Sequence, residues 1–180
     1  MTKIAKPKRR VKCESRAGGF TLSFFSMAST CEVLIDTDDK ALAIKMGNIA
    51  ANEAWRIEDK YSRYDQRSLC SQINNNAGKQ VEIDDETFNL LNFAQQCYEI
   101  SDGAFDITSG ILRKVWHFDG SDNLPSAESI HALLPYIGWD KVTFSVRASG
   151  SGNKILGLSR CWLMLEVVIV CCAISWEICP

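Results

Sequence analysis

The sequence predicts an α+β fold, a mixed β-sheet flanked by helices, and three patterns predict it. Phe20-Thr21-Leu22-Ser23-Phe24 alternates apolar and polar residues with period two, and Cys31-Glu32-Val33-Leu34-Ile35 is a second strand-like run. Leu42, Met46, Ile49, Ala50, Ala54, Ile57 and Tyr61 recur at helical spacing. Phe88, Leu91, Ala94 and Tyr98 repeat that spacing further on. With 180 residues, 46% of them hydrophobic and 23% charged, the chain is long and apolar enough to build a cored domain.

Each element has a local cause. Ser26-Met27-Ala28-Ser29-Thr30 links the two strands, and Met27 there suits ordinary gap-filling in a core. Asp36-Thr37-Asp38-Asp39 supplies N-caps for a long helix whose apolar stripe should cover one sheet face. Tyr61-Ser62-Arg63-Tyr64-Asp65-Gln66-Arg67-Ser68 is polar with interleaved tyrosines, which suits either the rim of a nucleotide site or a loop pinned to the core. Ile73-Asn74-Asn75-Asn76-Ala77-Gly78 is a turn signal, and Asp84 or Asp85 caps the second helix. Asp119-Gly120-Ser121-Asp122-Asn123 breaks the chain, Pro125-Ser126-Ala127-Glu128 opens a short helix, and Lys141-Val142-Thr143-Phe144 starts a strand.

Chemistry concentrates at Ser101-Asp102-Gly103-Ala104-Phe105-Asp106-Ile107-Thr108. Glycine beside a small residue lets a ligand approach the backbone, and Phe-Asp offers a flat apolar face next to a negative charge. The alternative reading is structural: Asp106 or Thr108 caps a helix over about 107–117, with Phe105 as core filler.

Composition narrows the function. A formal net charge of −2 argues against nucleic acid as the main partner. Residues 1–19 carry Lys3, Lys6, Lys8, Arg9, Arg10 and Lys12 and read as a disordered basic tail. Cys13-Glu14-Ser15-Arg16-Ala17-Gly18-Gly19 interrupts any signal-peptide core, so a cytoplasmic location is expected. The eight cysteines contain no CxxC pair, and His117 and His131 lie in unrelated contexts, which supports neither a zinc site nor a disulfide framework. Val167 to Ile174 is apolar, but Glu166 and Glu177 bracket a run shorter than the roughly 20 residues that span a bilayer, so no transmembrane segment is expected.

Phe24-x-x-Met27-Ala28-Ser29-Thr30, then Tyr61-Ser62-x-Tyr64-x-x-x-Ser68 running into Ile73-Asn74, then Asp102-Gly103-Ala104-Phe105-Asp106-Ile107-Thr108 with Trp116, together resemble the FAD:protein FMN transferase (ApbE-like) family. The resemblance covers residues 20–144. It implies binding of FAD and Mg²⁺ and transfer of the FMN half, through a phosphoester bond, to a threonine hydroxyl of an acceptor protein. It also implies that Met27 and Tyr64 contact FAD and that Ala104, Phe105 and Asp106 form the loop against it. Attack at a pyrophosphate needs developing charge neutralised and a hydroxyl proton removed, so the chemistry is coherent. No residue of this stretch is assigned to the metal.

After Phe144 the family's "Asp-Leu-Gly-Gly-x-x-Lys" turn does not follow, nor does its later metal-binding Asp. Residues 145–180 therefore read as foreign to the family. Permissible codons for 161–167, reread from their third base, yield Leu-Ala-x-Ala, and those for 173–179 permit Asn-Leu-Leu-Gly-Asp-Met. An out-of-frame tail is expected, with the domain incomplete and transfer impaired.

Overall fold

In a computed structural model, which describes residues 8–117, 123–146 and 154–158, the chain divides into two units, Met1–Ser62 and Arg63–Pro180. The first holds strands β1 (Lys12–Arg16), β2 (Gly19–Ser26) and β3 (Ser29–Ile35) and helix α1 (Lys40–Tyr61). The strands form an antiparallel sheet in the order β1-β2-β3. Alternation on β2 buries Phe20, Leu22, Phe24 and Ser26 on one face, as period two requires.

Lys12–Arg16 corrects the expectation of a disordered tail over residues 1–19. Arg16 pairs with Gly19 across a two-residue turn in which Gly18 takes φ +78°, a conformation glycine adopts without a Cβ penalty. Val11 and Cys13 pack against the cluster of Phe20, Leu22, Ile35 and Ala43, and Arg16 forms an ion pair with Asp36. Lys12, Glu14 and Arg16 stay exposed, so the charge that suggested a frayed end lies on the solvent side of a strand.

Asp39 caps α1 by accepting from the Ala41 and Leu42 N–H groups. The face that α1 buries is Ala43, Gly47, Ala51 and Trp55, whereas Leu42, Met46 and Ile49, expected to face the sheet, are 44%, 46% and 61% exposed. Close approach decides the orientation. A Cβ on Gly47 would stand 2.8 Å from Leu22 Cβ, nearer than real side chains come, so the helix meets the sheet through its smallest residues. Trp55 packs in a cluster with Phe24 and Ala51, edge-on to Phe24 at 5.9 Å between centroids, with its indole N–H donating to the Phe25 carbonyl at 2.9 Å.

The second unit contains α2 (Leu69–Asn75), β4 (Gln80–Ile83), α3 (Asp85–Ile100), a 3₁₀ helix over Ile107–Lys114, α4 (Ala127–His131), two further 3₁₀ turns at Leu134–Tyr136 and Trp139–Lys141, β5 (Val142–Val146) and β6 (Lys154–Leu158). Ser68 caps α2, so the Asn-rich turn signal begins inside a short helix, and Asp84 caps α3. Leu91 and Ala94 of the expected α3 face are buried, joined by Thr87. The second sheet is antiparallel in the order β4-β6-β5, with Leu156 of β6 fully buried. A segment expected to be foreign thus supplies the middle strand of this sheet. Phe88 meets Phe144 edge-on at 5.6 Å, and Trp139 meets Phe144 at 6.3 Å. The fold is α+β, as expected. The loop breaker at 119–122 and the apolar stretch beyond residue 158 lie outside the described residues.

Candidate functional site

The loop after α3 is built by its own backbone. Asp102 and Gly103 take φ +51° and +81°, turning the chain out of the helix, and the Gly103 N–H donates to the Tyr98 carbonyl at 2.9 Å. A Cβ on Gly103 would lie 3.4 Å from the Tyr98 hydroxyl. The Phe105 N–H then donates to Ser101 Oγ at 2.8 Å. These bonds leave Ala104 exposed and Phe105 and Asp106 half-buried.

Asp106, not Thr108, is the N-cap of the Ile107–Lys114 helix, which is 3₁₀ rather than α and ends three residues short of His117. Its Oδ1 accepts the Thr108 N–H at 2.8 Å and the Thr108 hydroxyl at 2.7 Å. Thr108 Oγ1 in turn accepts the Gly138 N–H at 2.8 Å. The structural and ligand readings of this loop are therefore compatible: one oxygen of Asp106 caps the helix, and the loop's small-residue edge remains open.

Tyr64 is 71% exposed. Arg63 lies over its ring at 4.7 Å and donates to its hydroxyl at 2.7 Å, while Arg113 donates to the same hydroxyl at 3.4 Å. Tyr64 thus joins the same helix that Asp106 caps, at its other end. Arg67 is held by Asp65 at 3.1 Å.

Met27 belongs to the first unit. With Ala28 it forms the two-residue connection of the β2–β3 hairpin, at φ +49° and +61°, between the paired Ser26 and Ser29. Both values lie in the left-handed region that hairpins of this type demand and that side-chain-bearing residues rarely adopt. The Met27 N–H donates to Glu58 Oε1 at 3.1 Å. Near this turn the Cys31 thiol is pushed above its ordinary value, chiefly by burial, with Glu58 adding to the shift and a bond from the Ser26 backbone opposing it.

Glu58, Arg113 and Gly138 carry no local signature in the sequence, because each contact closes over 30 or more residues. Among the described residues no group of three or more His, Cys, Asp or Glu side chains could hold a metal ion, and no helix is long and apolar enough to cross a membrane.

The described chain thus comprises two α+β units, one with a strained hairpin tip and one with a capped Ala-Phe-Asp loop. The model of the ApbE family matches residues 27–160, and the chain belongs to that family. The match extends past Phe144 and includes β5 and β6. Among solved structures, the chain is 27% identical to the ApbE protein of Thermotoga maritima, with a TM-score of 0.65 over 81% of this chain and 46% of that one. It shares its fold with the flavinyl transferase ApbE of Pseudomonas stutzeri in its apo form, at 20% identity and TM-score 0.57, covering 93% of this chain and 52% of that one. It shares it too with the flavin transferase ApbE of Vibrio cholerae, at 18% identity and TM-score 0.59, covering 89% and 53%. The chain spans about half the length of these solved relatives. No curated protein sequence matches it significantly.

Proposed function

We propose that this chain is the flavin-holding part of an FAD:protein FMN transferase, with FAD bound by Met27, Tyr64, Ala104, Phe105 and Asp106. The observation that carries the reading is the Ala104-Phe105-Asp106 loop. It is fixed by hydrogen bonds before any ligand arrives, with Asp106 Oδ1 committed to Thr108 and an apolar ring beside it. A preformed loop spends little ordering entropy on binding, which is what a positioning site requires.

In the complete reaction the acceptor threonine oxygen attacks the FMN-side phosphorus of the FAD pyrophosphate. A P–O bond to threonine forms, the bond to AMP breaks, and the hydroxyl proton leaves to a base. Mg²⁺ would neutralise the charge that develops on the phosphate oxygens. The described residues offer no fitting cluster for that ion, so no step is assigned to it here. What these residues do is bind and orient: Phe105 supplies a flat face, Asp106 an acceptor, and Tyr64 with its two arginines a cationic end.

Because the Asp-Leu-Gly-Gly-x-x-Lys turn does not occur in this sequence, the 180-residue polypeptide is expected to hold FAD and transfer little FMN. The test is a flavin fluorescence titration followed by incubation with Mg²⁺ and a threonine-containing acceptor peptide. Saturable FAD binding without labelled peptide is the expected outcome. Absence of FAD binding overturns the assignment, and labelled peptide overturns the impairment.

A further inference from the structure

We propose that Thr108 is a positioning residue of the flavin loop, acting through Asp106, and that it couples this loop to the turn carrying Gly138 and Trp139. The inference rests on the flavin-loop reading above and adds a residue and a direction to it.

Thr108 is fully buried, and a buried hydroxyl must place its single hydrogen as well as accept one. Here the assignment is forced. The Gly138 N–H can only donate, so Thr108 Oγ1 accepts it at 2.8 Å, and the Thr108 hydrogen goes to Asp106 Oδ1 at 2.7 Å. The result is a chain of aligned donors, amide to hydroxyl to carboxylate, in which each bond polarises the next. With the Thr108 N–H also on Oδ1, that oxygen holds two donors and the plane of the carboxylate is set.

Asp106 Oδ2 is the oxygen left for a ligand. An ionised carboxylate accepts hydrogen bonds and repels phosphate, so the group it takes is a hydroxyl or ring N–H of the flavin nucleotide.

The Gly138 turn touches the loop a second time. Gly138 sits at φ +144°, where a side chain is strained, and Lys141 bonds back to the Ile137 carbonyl. Trp139 stacks on Tyr98 at 6.1 Å with 24° between ring planes, and the Tyr98 hydroxyl lies against Gly103. The path Asp106, Thr108, Gly138, Trp139, Tyr98, Gly103 therefore closes on the loop from both sides. A shift of the loop on binding is expected to reach Trp139 along this path.

Thr108→Val keeps the shape and removes the hydroxyl, while Thr108→Ser keeps the hydroxyl and removes a methyl. Both are measured in the full chain by FAD titration, thermal midpoint and NMR exchange of the Gly138 amide, beside Ile111→Val as a control that perturbs packing alone. Thr108→Val is expected to weaken FAD binding about tenfold and to speed Gly138 exchange. Thr108→Ser is expected to stay within about threefold of the unmodified chain with Gly138 still protected, and Ile111→Val to leave FAD affinity unchanged at a lowered midpoint. Unchanged affinity in Thr108→Val, or equal losses in Val and Ser, overturns the positioning role. If Thr108→Val folds poorly, Thr108→Cys, a weak donor of similar size, replaces it and must fall between Ser and the expected Val value. Should the unmodified chain bind no FAD, the functional reading fails, and Gly138 exchange alone decides the coupling, with unchanged exchange in the hydroxyl-free variant ending it.

Discussion

The Arg113 guanidinium donates to the Tyr64 hydroxyl at 3.4 Å, joining residues 49 apart in sequence. Arg63 donates to the same oxygen at 2.7 Å, so the phenol accepts on both sides and its own hydrogen is directed elsewhere. Arg113 stands in the last turn of the 3₁₀ helix that Asp106 caps. The helix therefore carries the Asp106 cap at its start and, near its end, the arginine that bonds Tyr64. The cations mark one end of that element and the carboxylate the other, and on the proposed reading FAD meets both.

Arg113→Ala is therefore expected to weaken FAD binding, and because the group is at the surface the loss should be modest, about three- to tenfold. Most of it should vanish at high salt, where surface charge is screened. Tyr64→Phe should lose about as much with less salt dependence. Titrations at two ionic strengths check this, and full affinity in Arg113→Ala would remove Arg113 from the site.

Gly47→Ala places two principles in opposition. Alanine gains about 1 kcal/mol of helix propensity over glycine, yet its Cβ would stand 2.8 Å from Leu22 Cβ on a fully buried side chain. Overpacking of a core costs about 1–3 kcal/mol, so packing wins and the variant unfolds at lower denaturant. Gly47→Ala with an unchanged or raised midpoint would mean that α1 can move off the sheet.

The conformation of the 101–108 loop is legible in the sequence because its determinants are local: a glycine to turn the chain, and an aspartate two residues before a threonine. The orientation of α1 is not. Hydropathy ranks Leu42, Met46 and Ile49 above Ala43, Gly47 and Ala51, while the structure selects the small residues because only they allow the helix to approach Leu22. β1 is hidden for a related reason, since Lys12, Glu14 and Arg16 outweigh the alternate Val11 and Cys13 by eye. β6 is hidden because its identity as a middle strand comes from pairing with β4 and β5, which no window of residues 154–158 contains. Thr108 is readable as a possible cap, but its bond to Gly138 is a tertiary fact.

Burial raises the Cys31 thiol from its ordinary value of 9.0. The folded chain therefore holds this proton more tightly than the unfolded chain does. The stability this lends is fully present below pH 9, and it is lost as pH rises through the folded value. Denaturant midpoints should fall above pH 9 and fall less in Cys31→Ser. Alkylation of Cys31 should be slower at pH 8 than that of an unhindered thiol, because the thiolate is the nucleophile. Rapid labelling of Cys31 by iodoacetamide, read by peptide mass, contradicts the burial argument.

The hairpin tip offers a sharper separation of stability from function. Met27 and Ala28 both occupy left-handed backbone, at a cost of about 1–2 kcal/mol each relative to glycine. Strain of this kind persists where surrounding contacts hold it, here the paired Ser26 and Ser29 and the bond from Met27 N–H to Glu58. Ala28→Gly is expected to raise stability by about 1 kcal/mol and leave FAD binding intact, since Ala28 offers only a methyl group. Met27→Gly relieves the same strain, and stability should rise as well, but on the proposed reading FAD affinity should drop because the side chain proposed to meet FAD is gone. Thermal midpoints and FAD titrations on the two variants check the pair. Gains in stability for both with lost affinity only in Met27→Gly assign the strain to holding a methionine at the hairpin tip. Unchanged affinity in Met27→Gly would make the tip a purely structural turn and place the flavin contacts elsewhere.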